Sequence, residues 1–331
     1  MSIQDIVLKW DIRCTPIQIY HTAWDINHRY VLKIYDNLTS LERNIVLMKT
    51  LHEAGIPVPK IISLPNGADF YEEEASYYLL TTKLSGSHLL DISSLNASWY
   101  FRFGEILATL HLAFQKCEGK ISYWNNDMLE EMKGWVATNI NKCSPDFLKL
   151  EDVSHTISEL EDSYGILPKQ LIHRDVHLGN FLFDGEEFSG YIDFDLSQSN
   201  IRIFDLCYFL LGLLLHEDYN QIEEMKWWYF AVNQVIRGYD SRISLSFAEK
   251  IAVPCVMKNI ELLFVGYFLR EGDEKLAKDA ADLFYFVKEK EPRIREAIRD
   301  VVTWDGIDKS RMSPIKKSGN SKKDKPSSKF Q

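Results

Sequence analysis

The stretch Leu171 to Asp195, LIHRDVHLGNFLFDGEEFSGYIDFD, constrains the fold more than any other part of the chain. Two apolar, β-rich runs flank an Asp184-Gly185 pair, the composition of a hairpin turn. The hairpin is expected over 171–194. With Asp184 facing Ser189 across a four-residue loop, its pairing sets Asn180 opposite Asp193, so two oxygen donors converge at the hairpin mouth. Magnesium is a hard cation that takes oxygen ligands and keeps waters and substrate oxygens around it, so one carboxylate and one amide carbonyl suffice from the protein. Asp175, five residues before Asn180, enters the same hairpin with a carboxylate suited to accept a proton from a hydroxyl.

Up to Thr82 the chain reads as strands around one helix. Ile17 to Tyr20 and Tyr30 to Tyr35 are β-rich, and Leu41 to Ala54 carries apolar residues at helical spacing. Gly55, Pro57 and Pro59 end that helix, and strands centred on Ile61 and on Tyr77 to Thr81 follow. From Leu95 the pattern turns to long helices, opening with Phe103, Ile106, Leu107, Leu110 and Phe114 and resuming after the hairpin from Phe204 to about Val302. The expected class is α+β: a small β-rich lobe with one main helix over 1–82, a hinge at 83–86 and a helical lobe over 87–309. The remainder, 310–331, is a basic tail too poor in apolar residues to bury surface.

That tail holds seven of the 38 basic residues and one of the 48 acidic ones, which takes the formal charge from −10 for the whole chain to near −16 for the body. Such a balance argues against nucleic acid as a partner. The opening MSIQDIVLKWDIRC has no signal-like pattern, and the apolar run Leu206 to Leu215 is too short to span a bilayer, so the expected location is the cytoplasm, away from membranes. The five cysteines form no C-x-x-C pair and read as ordinary thiols.

His173-Arg174-Asp175 with Asn180 repeats the kinase catalytic-loop pattern H-R-D-x-x-x-x-N, and Asp193-Phe194-Asp195 stands where Asp-Phe-Gly belongs. Gly179, the second histidine His177 and Asp195 in place of glycine make the chain resemble the aminoglycoside phosphotransferase and choline kinase superfamily more than protein kinases. It also lacks an Ala-Pro-Glu motif and room for a long activation segment before Asp205. Within that superfamily it is most similar to bacterial homoserine kinase-like proteins. The likeness runs through Tyr30-Val-Leu-Lys33, Gly55-Ile-Pro-Val-Pro59, Leu107-Ala-Thr-Leu-His111, Ile172 to Gly185, Gly190 to Phe194 and Phe204-Asp205-Leu206, about residues 28 to 270 in all.

The resemblance implies a two-lobed protein-kinase-like fold and transfer of the γ-phosphoryl group of ATP, with Mg2+, to a hydroxyl of a small acceptor. An amino acid, an amine or an aminosugar fits, homoserine among them. It implies Asp175 as catalytic base, Asn180 and Asp193 as metal ligands, and Lys33 on the α- and β-phosphates. The backbone of Thr82, Lys83 and Leu84 would meet adenine, and Asp205 would brace the catalytic loop from a helix start, with His173 as structural support. The chain departs from the pattern between Asp11 and Arg29, where there is no glycine to approach phosphates; Thr22 and Asn27 are the candidates there. The acidic partner of Lys33 is expected at Glu42, with Asn44 as the other position, and the two point about 200° apart on a helix. A fold that binds nucleotide without transfer, a pseudokinase, is the alternative. His173, His177 and His111 read as packed histidines, and Asp195 as a second metal ligand or a loop cap. Glu217, Asp218, Glu261 and Glu271 are carboxylates available to a cationic acceptor, and nothing in the sequence selects among them.

Overall fold

A computed structural model describes residues 2–89, 92, 95–121, 127–214 and 226–299; the expected basic tail lies outside them. The chain falls into two units, Met1–Leu89 with Ala113–Tyr123 and Leu178–Asp195, and Leu90–Leu112 with Trp124–His177 and Leu196–Gln331. The hairpin therefore packs with the N-terminal residues, not with the helical part to which its chain position assigned it.

The first unit is built on an antiparallel sheet in the order β1-β2-β3-β5-β4, from β1 (Ile17–Tyr20), β2 (Ala23–Ile26), β3 (Tyr30–Tyr35), β4 (Tyr71–Glu73) and β5 (Ser76–Thr82). Side chains alternate across a strand, so Ile26, Leu32 and Leu80 share one face. They pack with Ile6, Val7 and Trp10 from an N-terminal turn of helix, α1 (Ile3–Val7), and the residues after it. Ile61 makes only a single bridge to Thr81 where a strand was expected. Helix α2 (Leu38–Glu53) starts where the Asn37 side chain accepts from the Ser40 amide at 3.0 Å. It stops where Gly55, at φ 79, lets the Gly55 and Ile56 amides reach the His52 and Leu51 carbonyls, each at 3.0 Å.

The second unit consists of α3 (Ala97–Phe114, whose last residues belong to the first unit), α4 (Met128–Glu131), α5 (Ala137–Cys143), α6 (Leu150–Tyr164), α7 (Ile203–Leu214), α8 (Lys226–Asp240), α9 (Phe247–Glu271) and α10 (Glu274–Ile298) together with a small ladder. That ladder is β6 (Lys169–Ile172) against β9 (Gln198–Ile201). The apolar run at Leu171 thus pairs with a polar strand beyond the hairpin. The hairpin proper is only β7 (Phe181–Asp184) and β8 (Glu187–Tyr191). Helix α9 is long and apolar enough to cross a membrane by length and composition alone, but most of it is buried inside this unit.

Candidate active site

In the first unit, β7 and β8 join through a two-residue turn, Gly185-Glu186, with Asp184 opposite Glu187. Gly185 takes φ 60 at the first turn position, where glycine is favoured. The expected facing of Asp184 with Ser189 gives way to this tighter turn. Ser189 becomes the extra residue of a bulge, after which Phe181 faces Tyr191 and the Ile192 amide donates to the Asn180 carbonyl at 3.1 Å. Asn180 therefore aligns with Ile192, and Asp193 lies one residue beyond.

Asp193 holds a left-handed backbone at φ 64, a conformation that costs a non-glycine residue about 1–3 kcal/mol and is retained where surrounding bonds demand it. Here they do. Lys33 Nζ lies 2.8 Å from Asp193 Oδ1 and 2.8 Å from Asp195 Oδ2. Asp195 Oδ1 accepts from Asn44 Nδ2 at 2.6 Å and from the Tyr35 hydroxyl at 3.0 Å. Lys33 and Tyr35, two apart on β3, reach the cluster from one face of the sheet. Burial works against the lysine's charge, but Asp195 and Asp193 outweigh it and hold the ammonium well above its ordinary pKa.

Glu42, expected opposite Lys33, is exposed: α2 buries Leu41, Asn44, Ile45, Leu47 and Met48, which leaves position 42 on the outer side. Of the two positions on this helix it is Asn44 that faces the cluster, and it does so through Asp195. Asp195, read from the sequence as a metal ligand or a cap, supplies the second carboxylate that faces Lys33.

The segment Thr82-Lys83-Leu84 is less open than expected. The Thr82 and Lys83 amides already donate to the Lys60 and Arg29 carbonyls, both at 2.8 Å. The Lys83 ammonium pairs with buried Asp25 at 2.6 Å. Thr22 sits in the two-residue turn between β1 and β2, whereas Asn27 lies in the next turn, at φ 56, with its side chain on the Arg13 carbonyl at 3.3 Å. The two candidates thus belong to different turns.

In the second unit, the loop after β6 carries His173, Arg174 and Asp175, all buried. Arg174 takes φ 68, and its Nη2 meets both oxygens of Glu131 at 2.8 Å. Asp205, in the first turn of α7, accepts the Arg174 amide on Oδ1 at 2.8 Å and the His173 amide on Oδ2 at 2.8 Å. Its Oδ2 also meets His111 Nε2 at 3.0 Å, while His111 Nδ1 lies 2.7 Å from the Tyr239 hydroxyl. Both ring nitrogens therefore have partners. His111 is thus a satisfied core histidine.

Asp175 Oδ1 accepts from the Tyr208 hydroxyl at 2.9 Å, and its Oδ2 lies 3.7 Å from His177 Nε2. Burial pushes the Asp175 carboxyl up, but His177, His173 and Tyr208 more than offset it and leave its pKa below the ordinary aspartate value. Tyr208 is pushed well above its ordinary value by burial and then by Asp175, so it stays a hydroxyl donor. Sequence reasoning missed Tyr208, although it stands three residues after Asp205 on the same helix, the spacing that puts two side chains on one face. Of the four carboxylates open to a cationic acceptor, Glu217 and Asp218 lie outside the described residues, Glu271 is exposed and Glu261 is buried.

Asn180 and Asp193 supply an amide and a carboxylate oxygen in the first unit, a donor set that fits magnesium rather than a soft metal. Residues 18–229 match the model of the phosphotransferase enzyme family. Homoserine kinase of Polaromonas naphthalenivorans (strain CJ2) is 24% identical over 265 residues, 77% of this chain and 78% of that enzyme. An aminoglycoside phosphotransferase from Alicyclobacillus acidocaldarius is similar in structure, with a TM-score of 0.66 at 16% identity over 90% of this chain and 96% of its own. The amicoumacin kinase hAmiN, solved with AMP-PNP, Ca2+ and Ami, gives 0.65 at 16% identity over 89% and 94%. At these identities the structural likeness shows the fold, the α+β kinase-like one.

Proposed function

This chain belongs to the phosphotransferase enzyme family and is an ATP-dependent phosphotransferase acting on a hydroxyl; from that premise we propose that Asp175 is its base and a small amino acid, amine or aminosugar its acceptor. The carrying observation is the ion pair between Lys33 and Asp193, 160 residues apart in the chain and 2.8 Å apart in space. A phosphate-holding lysine and a metal-holding carboxylate need this neighbourhood, and neither needs it for the stability of a sheet.

Asn180 and Asp193 would hold magnesium, which when bound neutralises phosphate charge. Lys33 turns its ammonium toward the α- and β-phosphates, with Asp195 keeping it in place. Adenine would meet the carbonyls of Thr82 to Leu84 and the Leu84 amide, since the Thr82 and Lys83 amides are already engaged. The acceptor oxygen attacks the γ-phosphorus as the bond from that phosphorus to the β,γ-bridging oxygen breaks. ADP leaves with that electron pair, and the hydroxyl proton passes to the Asp175 carboxylate. A carboxylate of depressed pKa is a weak base, which suits a loose transition state in which the proton moves late. The expected place of work is the cytoplasm.

The test is ADP release by the purified protein with magnesium, ATP and a panel of L-homoserine, choline, 3-amino-1-propanol and kanamycin. At least one acceptor should stimulate release, and Asp175→Asn should abolish the stimulation while ATP still binds. Absence of stimulation by every acceptor, with the same background rate in Asp175→Asn, would overturn the proposal and favour nucleotide binding without transfer.

A further inference from the structure

Asp25 is a buried carboxylate that neither the phosphoryl transfer nor the metal donors use. It stands on β2, is 3% exposed, and accepts the His28 amide at 2.7 Å and the Lys83 ammonium at 2.6 Å, with His28 Nδ1 at 3.3 Å. A buried carboxylate is costly unless it is paired. Burial pushes the Asp25 carboxyl up, but Lys83 and the His28 amide outweigh it and leave its pKa below the ordinary aspartate value, so the pair is charged at neutral pH. The other end of the pair is open. The Lys83 side chain is 43% exposed, its backbone amide is held by the Arg29 carbonyl, and among the described residues Asp25 is the sole partner of its ammonium. Such an ammonium carries three donors, so two remain for a ligand.

The sheet puts this pair on the face of Lys33. Ile17, Asp25, Val31 and Thr81 lie side by side across β1, β2, β3 and β5, and the next row on that face is Ala23, Lys33 and Leu79. Residues two apart on a strand share a face, so Asp25, Val31 and Thr81 face as Lys33 does, and Lys83, whose amide continues the pairing to Arg29, extends the line. Lys83 stands four residues along β5 from the Lys33 row, about 13 Å at the rise of a strand. A nucleotide with its phosphates at Lys33 and its base edge at Thr82 to Leu84 has its nucleoside over the row of Asp25, between half-buried Val31 and exposed Ile17.

We propose that the Lys83 ammonium, oriented by buried Asp25, binds the nucleoside end of ATP by donating to an acceptor atom there, a ribose hydroxyl oxygen or N3 or N7 of the purine. The inference rests on Lys33 holding the phosphates, which sets the direction in which the nucleotide lies. Lys33 and Lys83 then grip opposite ends of one ligand, and each is kept in place by carboxylates of the same unit.

Calorimetry with AMP-PNP, adenosine and magnesium tripolyphosphate tests it. Lys83→Met should weaken AMP-PNP and adenosine by about 10-fold and leave tripolyphosphate unchanged, with KM for ATP raised to match and kcat unaltered. Lys33→Met should weaken AMP-PNP and tripolyphosphate and leave adenosine unchanged. Three analogues identify the atom: 2′,3′-dideoxy-ATP, 3-deaza-ATP and 7-deaza-ATP. The one that lacks the acceptor should bind the wild type about 10-fold more weakly and lose nothing further in Lys83→Met. Should Lys83→Met fail to fold with Asp25 left unpaired, Asp25→Asn/Lys83→Met, which removes both charges, takes its place with the same ligands. Unchanged AMP-PNP affinity in the variant, equal losses for adenosine and tripolyphosphate, or a full further loss with every analogue overturns the inference. If Lys33→Met leaves AMP-PNP and tripolyphosphate unchanged, the placing of the phosphates fails instead, and adenosine still decides Lys83.

Discussion

Asp205 and Asp195 each organise a basic or amide partner, but in different ways. Asp205 is fully buried and accepts two backbone amides and a histidine ring in the second unit. The Asp195 side chain is 41% exposed, and in the first unit it balances a lysine that also leans on Asp193. The loop of Asp175, the proposed base, is thus held by bonds sealed from water, which cost much to break and leave one geometry. The phosphate-side lysine is held by charges that water and salt reach. Such a pair can exchange one carboxylate for a phosphate without unfolding anything. One region is fixed before substrates arrive, and the other is balanced until they do.

The largest expected effect comes from removing the fixed region's reacting group. Asp175→Asn should lower kcat by about 10² to 10⁴ with ATP binding within about twofold; a fall in ATP binding of the same size as the fall in kcat would show that the two regions are not functionally separate. Because the Asp175 pKa lies below the ordinary value, the acid limb of kcat/KM should fall at a lower pH than a free aspartate would give. Burial acts against that depression and hydrogen bonds produce it, so Tyr208→Phe should move the limb to higher pH. The same depressed carboxyl adds stability that is present above its unfolded value and lost as pH falls through the folded one.

Next in size is Asp205→Ala, which leaves three buried donors without their acceptor at about 1 kcal/mol or more each. The melting temperature should drop by roughly 5–10 °C. Asp195→Asn, in the exposed cluster, should cost under about 1 kcal/mol of stability yet raise KM for ATP by about tenfold. Equal melting losses for the two variants would erase the contrast between a sealed brace and a balanced charge.

What could be placed from the sequence follows the same division. The proposed base, its loop and the proposed metal donors lie within a run of 19 residues, Asp175 to Asp193, where turn chemistry and spacing act locally. Asp205 was expected as a brace from the family resemblance, and His111 as a packed histidine from its place on the apolar face of its helix. The partner of Lys33 was expected on α2, at Glu42, rather than at Asp195, because a contact across 162 residues leaves no periodic trace in either segment. The hairpin register was also missed. An Asp-Gly pair specifies a tight turn, but the bulge at Ser189 that recovers part of the shift depends on packing of Phe181, Phe188 and Tyr191, whose rings meet edge to face at 4.5 to 5.9 Å. Strand β9 stayed hidden for a related reason: Gln198-Ser-Asn-Ile201 has no alternating apolar pattern, and Asn200 is buried by pairing its side chain with Tyr164 at 3.1 Å.

The smallest expected effect is the most direct check on which carboxylate holds Lys33. Glu42 lies beyond the first turn of α2, where the helix dipole contributes little, and it makes no ion pair among the described residues. An exposed substitution of this kind stays within about 0.5 kcal/mol. Glu42→Gln should therefore leave the melting temperature within about 2 °C and KM for ATP within about twofold of the wild type, under the assay that detects the tenfold change in Asp195→Asn. Because Asn44 meets Asp195 at 2.6 Å, Asn44→Ala should reproduce the direction of the Asp195 effect at reduced size, through loss of one orienting bond. A rise in KM for Glu42→Gln that equals the one for Asp195→Asn would put the working partner of Lys33 on α2 when nucleotide is bound. The cluster described for Asp195 would then be only the resting arrangement, and the exposed region would have to rearrange by more than the exchange of one ion pair.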